Sequence, residues 1–252
     1  MNTHAYLEHG MAILKTRLET PRKDSPAAAA SPARPFITLS REVCAGATTV
    51  GRLLLPRLDS EFGEPGHEWI LLDKDLVTYA LRHHQLSEQL ADYLPEDKVS
   101  EIDAAIGEIV GLHPSIWKLE HQVAQAIVQL AHVGRFIFVG RAAHLLTDML
   151  PGGLHVRLVA PMDTRVRRYL DMHGCSAPEA RLHLNHTDEG RRRFVKSHFD
   201  RDIDDPHTYD LVVNTGRIPS EGAVRLILEG LRRRMGAVEE EQSRSAEAAV
   251  TA

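Results

Sequence analysis

Apolar residues in this chain fall into short dense runs set between longer stretches where they recur every three or four positions. The dense runs are residues 36–39, "EWILLDKD" (68–75), "RFIFVG" (135–140), "LHVRLVA" (154–160) and "YDLVVNT" (209–215). Their length and composition predict five buried strands. Helical spacing predicts helices over 47–62, 165–172, 177–199 and 219–234, and a long amphipathic helix over 116–132 within a mostly helical stretch, 75–130. Fully apolar strands alternating with helices imply a parallel sheet covered on both faces. A ligand of such a sheet sits beyond the strand C-terminal ends, here residues 40–47, 73–75, 140–141, 160–161 and 214–215.

The ends of the chain differ from this middle. Leu7, Met11, Leu14 and Leu18 have helical spacing and predict an N-terminal helical appendage over 1–20, expected to dock on the core or on a protein partner. Residues 21–34 are rich in Pro, Ala and Ser and read as a flexible tether. The alternating domain then occupies 35–235, and a Glu/Ser/Ala tail over 236–252 is expected to be disordered.

Composition narrows the function classes. The 252 residues carry 30 basic and 35 acidic side chains, a net charge of −5 that argues against a dedicated binder of nucleic acid polymers. Two cysteines cannot build a disulfide framework, so a reducing cytoplasm is expected. No apolar stretch nears the roughly 20 residues of a membrane span, and no signal-peptide pattern is evident, so no membrane partner is expected. Fifteen histidines are mostly scattered; His183 and His186 could share a helix face, but no further ligand completes a metal set.

The chemistry concentrates at the strand ends. In "SREVCAGATTVGRLLL" (40–55) a strand leads into small residues and then a helix. Laid over the Walker A pattern G-x-x-x-x-G-K-[ST], Arg41 replaces the first glycine, Gly46 is the second, Ala47 replaces the lysine, and Thr48 keeps the hydroxyl. The plain reading is a tight turn with Thr48 or Thr49 in the first helical turn. The chemical reading is an anion site made of backbone N–H groups and the helix dipole, with Thr48 a ligand for Mg²⁺ and Arg41 supplying the missing positive charge. Arg52, a turn further on, is the poorer candidate.

Asp73 and Asp75 end the second strand. Asp75 suits a helix cap, whereas Asp73 is open between structural and ligand roles. Arg141, after Gly140, suits bidentate phosphate recognition or a surface ion pair. Residues 157–201 hold ten of the basic side chains. Arg165 and Arg168 are spaced to face one way, and Asp188 precedes Arg191 by three positions. Such a run is a solvated helix face or a lid that neutralises transferring phosphate.

Taken together, "SREVCAGATTVG", "LLDKDLV", "FIFVGRAAHLL", "HVRLVAPMDTRVRR", "DEGRRRF" and "DIDDPHTYDLVVNT" resemble, in order and spacing, the cytidylate kinase-like family. That family is a branch of the P-loop nucleoside monophosphate kinases, and the resemblance spans roughly residues 35–233. It implies a P-loop three-layer α/β/α fold with a five-stranded parallel sheet, a helical monophosphate-binding region and an Arg-rich lid. It implies ATP and Mg²⁺ as cofactors, and nucleoside mono- and triphosphates as partners. Gly46, Ala47, Thr48 and Thr49 would surround the ATP phosphates, and Arg165 and Arg168 would border the lid on the cofactor side. Asp73 and Arg141 would meet the monophosphate, while Asp188 and Arg191 match the lid's Asp-x-x-Arg. The departure is Ala47: cytidylate kinases proper keep the lysine, whereas this branch carries a small residue, often after Ser-Arg-Glu. CMP or dCMP is the acceptor the family name implies. The alternatives are a nucleotide-binding regulatory module with little turnover, and a kinase of a non-nucleotide acceptor, since residues 82–115 show no base-reading signature.

Overall fold

The computed structural model describes residues 34–63, 67–73, 118–140 and 142–251. The N-terminal appendage expected to be helical, nearly all of the tether, Asp75, the expected helical monophosphate-binding region from 74 to 117, and Arg141 lie outside the described residues. The elements in chain order are β1 (Phe36–Arg41), α1 (Ala47–Phe62), β2 (Ile70–Leu72), α2 (Lys118–Val133), β3 (Phe136–Val139), α3 (Ala143–Leu146), β4 (Gly153–Val159), α4 (Met162–His173), α5 (Ala177–Phe199), β5 (Leu211–Asn214) and α6 (Ser220–Thr251).

All five strands run parallel, in the order β2-β3-β1-β4-β5. Side chains alternate between two faces, as the strand period requires. Ile37, Leu39, Val156 and Leu158 pack with Val50, Leu54 and Leu58 of α1 and with Val224, Ile227 and Leu231 of α6. Phe36, Phe136 and Phe138 pack on the opposite face with Ile127, Leu130 and Val133 of α2. Three layers result, and the order of strands places the β1–α1 turn at the middle of the sheet's C-terminal edge.

The strands are not fully apolar, contrary to the sequence expectation. On the face opposite α1, β1 carries Thr38 and Ser40 and β4 carries His155 and Arg157, all buried. The β1–β4 register sets Thr38 beside His155 and Ser40 beside Arg157. Thr38 Oγ1 lies 2.9 Å from His155 Nδ1, and Arg157 donates to Ser40 Oγ at 2.9 Å. Each polar side chain thus meets a partner across the register, which is what makes their burial tolerable.

The last helix also departs from expectation. It continues to Thr251, where the sequence pattern ended it at 234 and anticipated disorder from 236. Glu, Ala and Arg are strong helix formers, and Glu240 pairs with Arg244 one turn on at 3.4 Å. No helix among the described residues is long and apolar enough to cross a membrane.

Candidate functional site

The turn between β1 and α1 occupies the central strand end. Cys44 (φ 59°) and Gly46 (φ 89°) both adopt left-handed backbone, which folds the chain tightly enough to present successive N–H groups on one side. The first bond of the α1 ladder runs from Val50 N–H to Gly46 O, 2.9 Å. The N–H groups of Ala47, Thr48 and Thr49 therefore have no partner within the helix, and Gly46 at the cap position has no side chain to accept from them. Their partial positive charge, added to the helix dipole, is suited to an anion. Thr48 and Thr49 are exposed at the same turn, so both hydroxyls are accessible from solvent. Thr48 suits a Mg²⁺ that keeps most of its ligands from water and phosphate oxygens.

Other elements hold this loop from behind. Arg165 of α4 is buried; it donates to Ala160 O at 2.9 Å and Val43 O at 3.4 Å, and pairs with Asp188 at 2.5 Å and Glu42 at 3.4 Å. Asp188 of α5, also buried, accepts from Val43 N–H at 2.8 Å through its other oxygen. Glu42 accepts from Ala160 N–H at 2.9 Å. Arg168 donates to Cys44 O at 3.0 Å and to Thr215 O at 2.8 Å. The expected same-facing pair Arg165 and Arg168 is thus turned onto the loop's own backbone.

Beside the end of β1 a small cleft is lined by Arg41, Arg157, Arg191 and Arg192, with Glu42, Asp188 and Ile203. Arg191 donates to Arg41 O at 2.9 Å and stands 3.6 Å from Asp188. Burial, reinforced by the charges of Arg157 and Arg165, pulls its pKa below the usual arginine value despite Asp188. An arriving anion would relieve that strain on its charge. The Arg41 guanidinium lies against Gly140, where a β-carbon would stand 1.9 Å from Nη1. Gly140, at φ 87°, both turns the end of β3 and leaves room for that arginine. Arg41 is therefore directed toward the β3 side of the loop, where Arg141 follows in sequence, and not toward the Ala47 position. Asp73 is half-buried at the end of β2, and Arg52 is exposed on α1.

Asp204, in the segment after α5, ties two of the cleft arginines together. It accepts from Arg157 and, at 2.7 Å, from Arg192 Nε. Burial alone would raise its carboxyl, but the Arg192 hydrogen bond and the Arg157 charge hold it below the usual range. Tyr209 donates to Ile203 O at 2.8 Å, lies beneath the Arg157 guanidinium at 5.7 Å, and stacks on His144 at 4.6 Å. Arg157, Asp204, Tyr209 and Thr215 were not singled out from sequence. The run "DIDDPHTYDLVVNT" carries three of them, and Thr215 stands at one of the predicted strand ends.

A glycine-turned loop between a central parallel strand and a helix N-terminus, in a three-layer α/β/α frame, defines a protein of the P-loop class. More narrowly, a family described as cytidylate kinase-like matches residues 36–217, and the chain belongs to that family. A cytidylate kinase of Methanothrix thermoacetophila is 29% identical over 46% of this chain, and that match spans 65% of the relative's length. One from Sulfolobus acidocaldarius is 24% identical over 79% of this chain and 94% of its own length. A solved structure of an uncharacterised Eubacterium ventriosum protein shares the fold, with a TM-score of 0.60, 18% identity, and coverage of 80% of this chain and 99% of that one.

Proposed function

We propose that the protein transfers the terminal phosphoryl group of ATP, with Mg²⁺, to a nucleoside monophosphate, CMP or dCMP first. The observation that carries this reading is that the end of the central strand leads into a helix N-terminus with no side-chain cap and also borders a small cleft lined by four arginines. In the reaction an oxygen of the acceptor phosphate attacks the γ-phosphorus, and the bond to the β–γ bridging oxygen breaks, releasing ADP. The loop N–H groups hold the donor phosphates and Arg191 meets the transferring group. Arg41, directed to the β3 side, and Arg141 with Asp73 serve the acceptor. Arg165 and Asp188 keep the loop in place. Mg²⁺ at Thr48 would neutralise charge on the donor phosphates.

That the relatives are cytidylate kinases supports this reading, as does the family. A coupled assay of ADP release across the nucleoside monophosphates tests it: acceptor-dependent turnover, fastest with CMP or dCMP, is expected, and none with any acceptor overturns it. The orientation of Arg41 away from Ala47 favours one rival, a nucleotide-binding regulatory module. Tight calorimetric binding of ATP without turnover would establish that rival.

A further inference from the structure

Every backbone carbonyl of the loop from Arg41 to Gly46 has a donor. Arg41 O receives Arg191 at 2.9 Å, and Glu42 O receives the Ala45 N–H at 3.2 Å. Val43 O receives Arg165 at 3.4 Å and Cys44 O receives Arg168 at 3.0 Å. Ala45 O receives the Thr215 hydroxyl at 2.7 Å, and Gly46 O receives Val50 N–H at 2.9 Å. Three of these donors, at consecutive carbonyls, are side chains from α4 and from the turn after β5. Carbonyls drawn backward leave the N–H groups at the helix start pointing forward.

Thr215 is the least replaceable of the three. Its side chain is buried, and its hydroxyl has one proton, given to Ala45 O, while the oxygen accepts from Arg168 Nη1 at 3.1 Å. One hydroxyl thus couples the loop to the arginine that also grips Cys44 O. Arg168 in turn has Nη1 only 3.8 Å from where a Gly46 β-carbon would be, directly before Ala47.

We propose that Thr215 and Arg168 are positioning residues that preset the phosphate loop, so that a triphosphate binds a loop already in its bound shape. Presetting removes the ordering cost that a flexible loop would add to binding, and this is how the loop works without the lysine. The proposal rests on the donor-binding reading above, but its test does not need turnover.

The test compares Thr215→Val, which keeps shape and loses the hydroxyl, with Thr215→Ser, which restores it. Affinity for Mg·ADP is measured by calorimetry, and amide exchange over residues 42–49 is measured without ligand. Thr215→Val is expected to weaken Mg·ADP about tenfold, the scale of one to two lost hydrogen bonds. It should speed exchange of the loop amides while leaving kcat within about threefold, because the group acts before chemistry. Thr215→Ser should return both readouts to within about threefold of wild type. Arg168→Lys keeps the charge without the planar fork, so it should lose affinity as Arg168→Ala does. Full affinity in Arg168→Lys, or unchanged loop exchange in a folded Thr215→Val, overturns the proposal. A wild-type protein that binds no Mg·ADP refutes the donor-binding reading instead, and the unliganded exchange still decides the loop.

Discussion

Arg165 with Arg168 and Arg191 with Arg192 look alike in sequence, yet the fold uses them oppositely. The first pair, on α4, faces inward: Arg165 is 6% exposed at its side chain and bound to Asp188, Glu42 and the carbonyls of Val43 and Ala160. The second pair, on α5, borders the cleft, with side chains 29% and 43% exposed. Arg192 is partly neutralised by Asp204, whereas Arg191 carries a charge that burial disfavours. Arginine density therefore says little about which guanidinium meets a ligand. What decides is whether its donors already have acceptors in the folded chain.

The comparison breaks most sharply at Asp188, which touches both sets. Asp188→Ala leaves Arg165 buried without its closest counter-charge and Val43 N–H without its acceptor. Removing one partner of a buried pair costs about 3–5 kcal/mol. A drop of that size in urea unfolding free energy, with loss of activity, is the expected outcome. A stability change below about 1 kcal/mol would mean the inward pair is not structural.

Arg191→Ala should behave in the reverse way. Among the described residues it has one hydrogen bond, to Arg41 O, and a longer contact with Asp188, so stability should change little. Under the proposed function, turnover should fall about 10²–10³-fold, the scale of one preorganised donor lost. Steady-state kinetics beside a thermal melt checks both halves. Equal losses in the two measurements would erase the distinction between the pairs.

The frame of this comparison was legible before the structure, and its internal wiring was not. Helix α1 occupies 47–62 as the pattern indicated, because Val50, Leu54 and Leu58 face the sheet at helical spacing. Strands β1 to β4 were legible because both their faces are buried, and β5 by its apolar run alone. The polar seam was not: Ser40 and Arg157 sit 117 positions apart, and only the β1–β4 register brings them together. Thr215 and Ala45 are 170 positions apart, so nothing local to either marks the bond. The helical tail was misjudged because its composition suits both a solvated helix and a disordered segment. Arg41 could be counted as a cation near the loop, but its direction depends on the space at Gly140.

Acid should loosen the packing of His144 and Tyr209 under Arg157, away from both pairs. His144 is buried, and its pKa falls to about 3, chiefly through burial, with the charge of Arg157 and any proton taken up by His155 also disfavouring its charged form. Burial lowers His155 as well. Both imidazoles are thus neutral in the fold and take up protons more readily when unfolded. Stability is full above the unfolded value near 6.5 and declines as pH falls toward 3. By pH 5, His144 alone removes about 2 kcal/mol. Unfolding free energies at pH 7 and 5 should show that loss, and His144→Phe should flatten it. An unchanged slope in that variant would place the acid sensitivity elsewhere.

The smallest effect sharpens the comparison furthest. Arg193 stands two residues from Arg191 on the same helix, 63% exposed, and among the described residues its ion-pair partner is Glu189 at 3.6 Å. Exposed pairs one turn apart contribute about 0.3–0.5 kcal/mol, and salt screens them. Arg193→Gln should therefore shift stability by no more than about 0.5 kcal/mol and leave kcat/KM unchanged. Helix geometry supplies the reason: two positions rotate a side chain by about 200°, from the cleft to the solvent side. If Arg193→Gln instead lowered turnover as Arg191→Ala does, the net positive field of α5 would matter more than the placement of any one guanidinium. Repeating both variants at high salt separates these cases, since a diffuse field is screened and a direct contact in the cleft much less so.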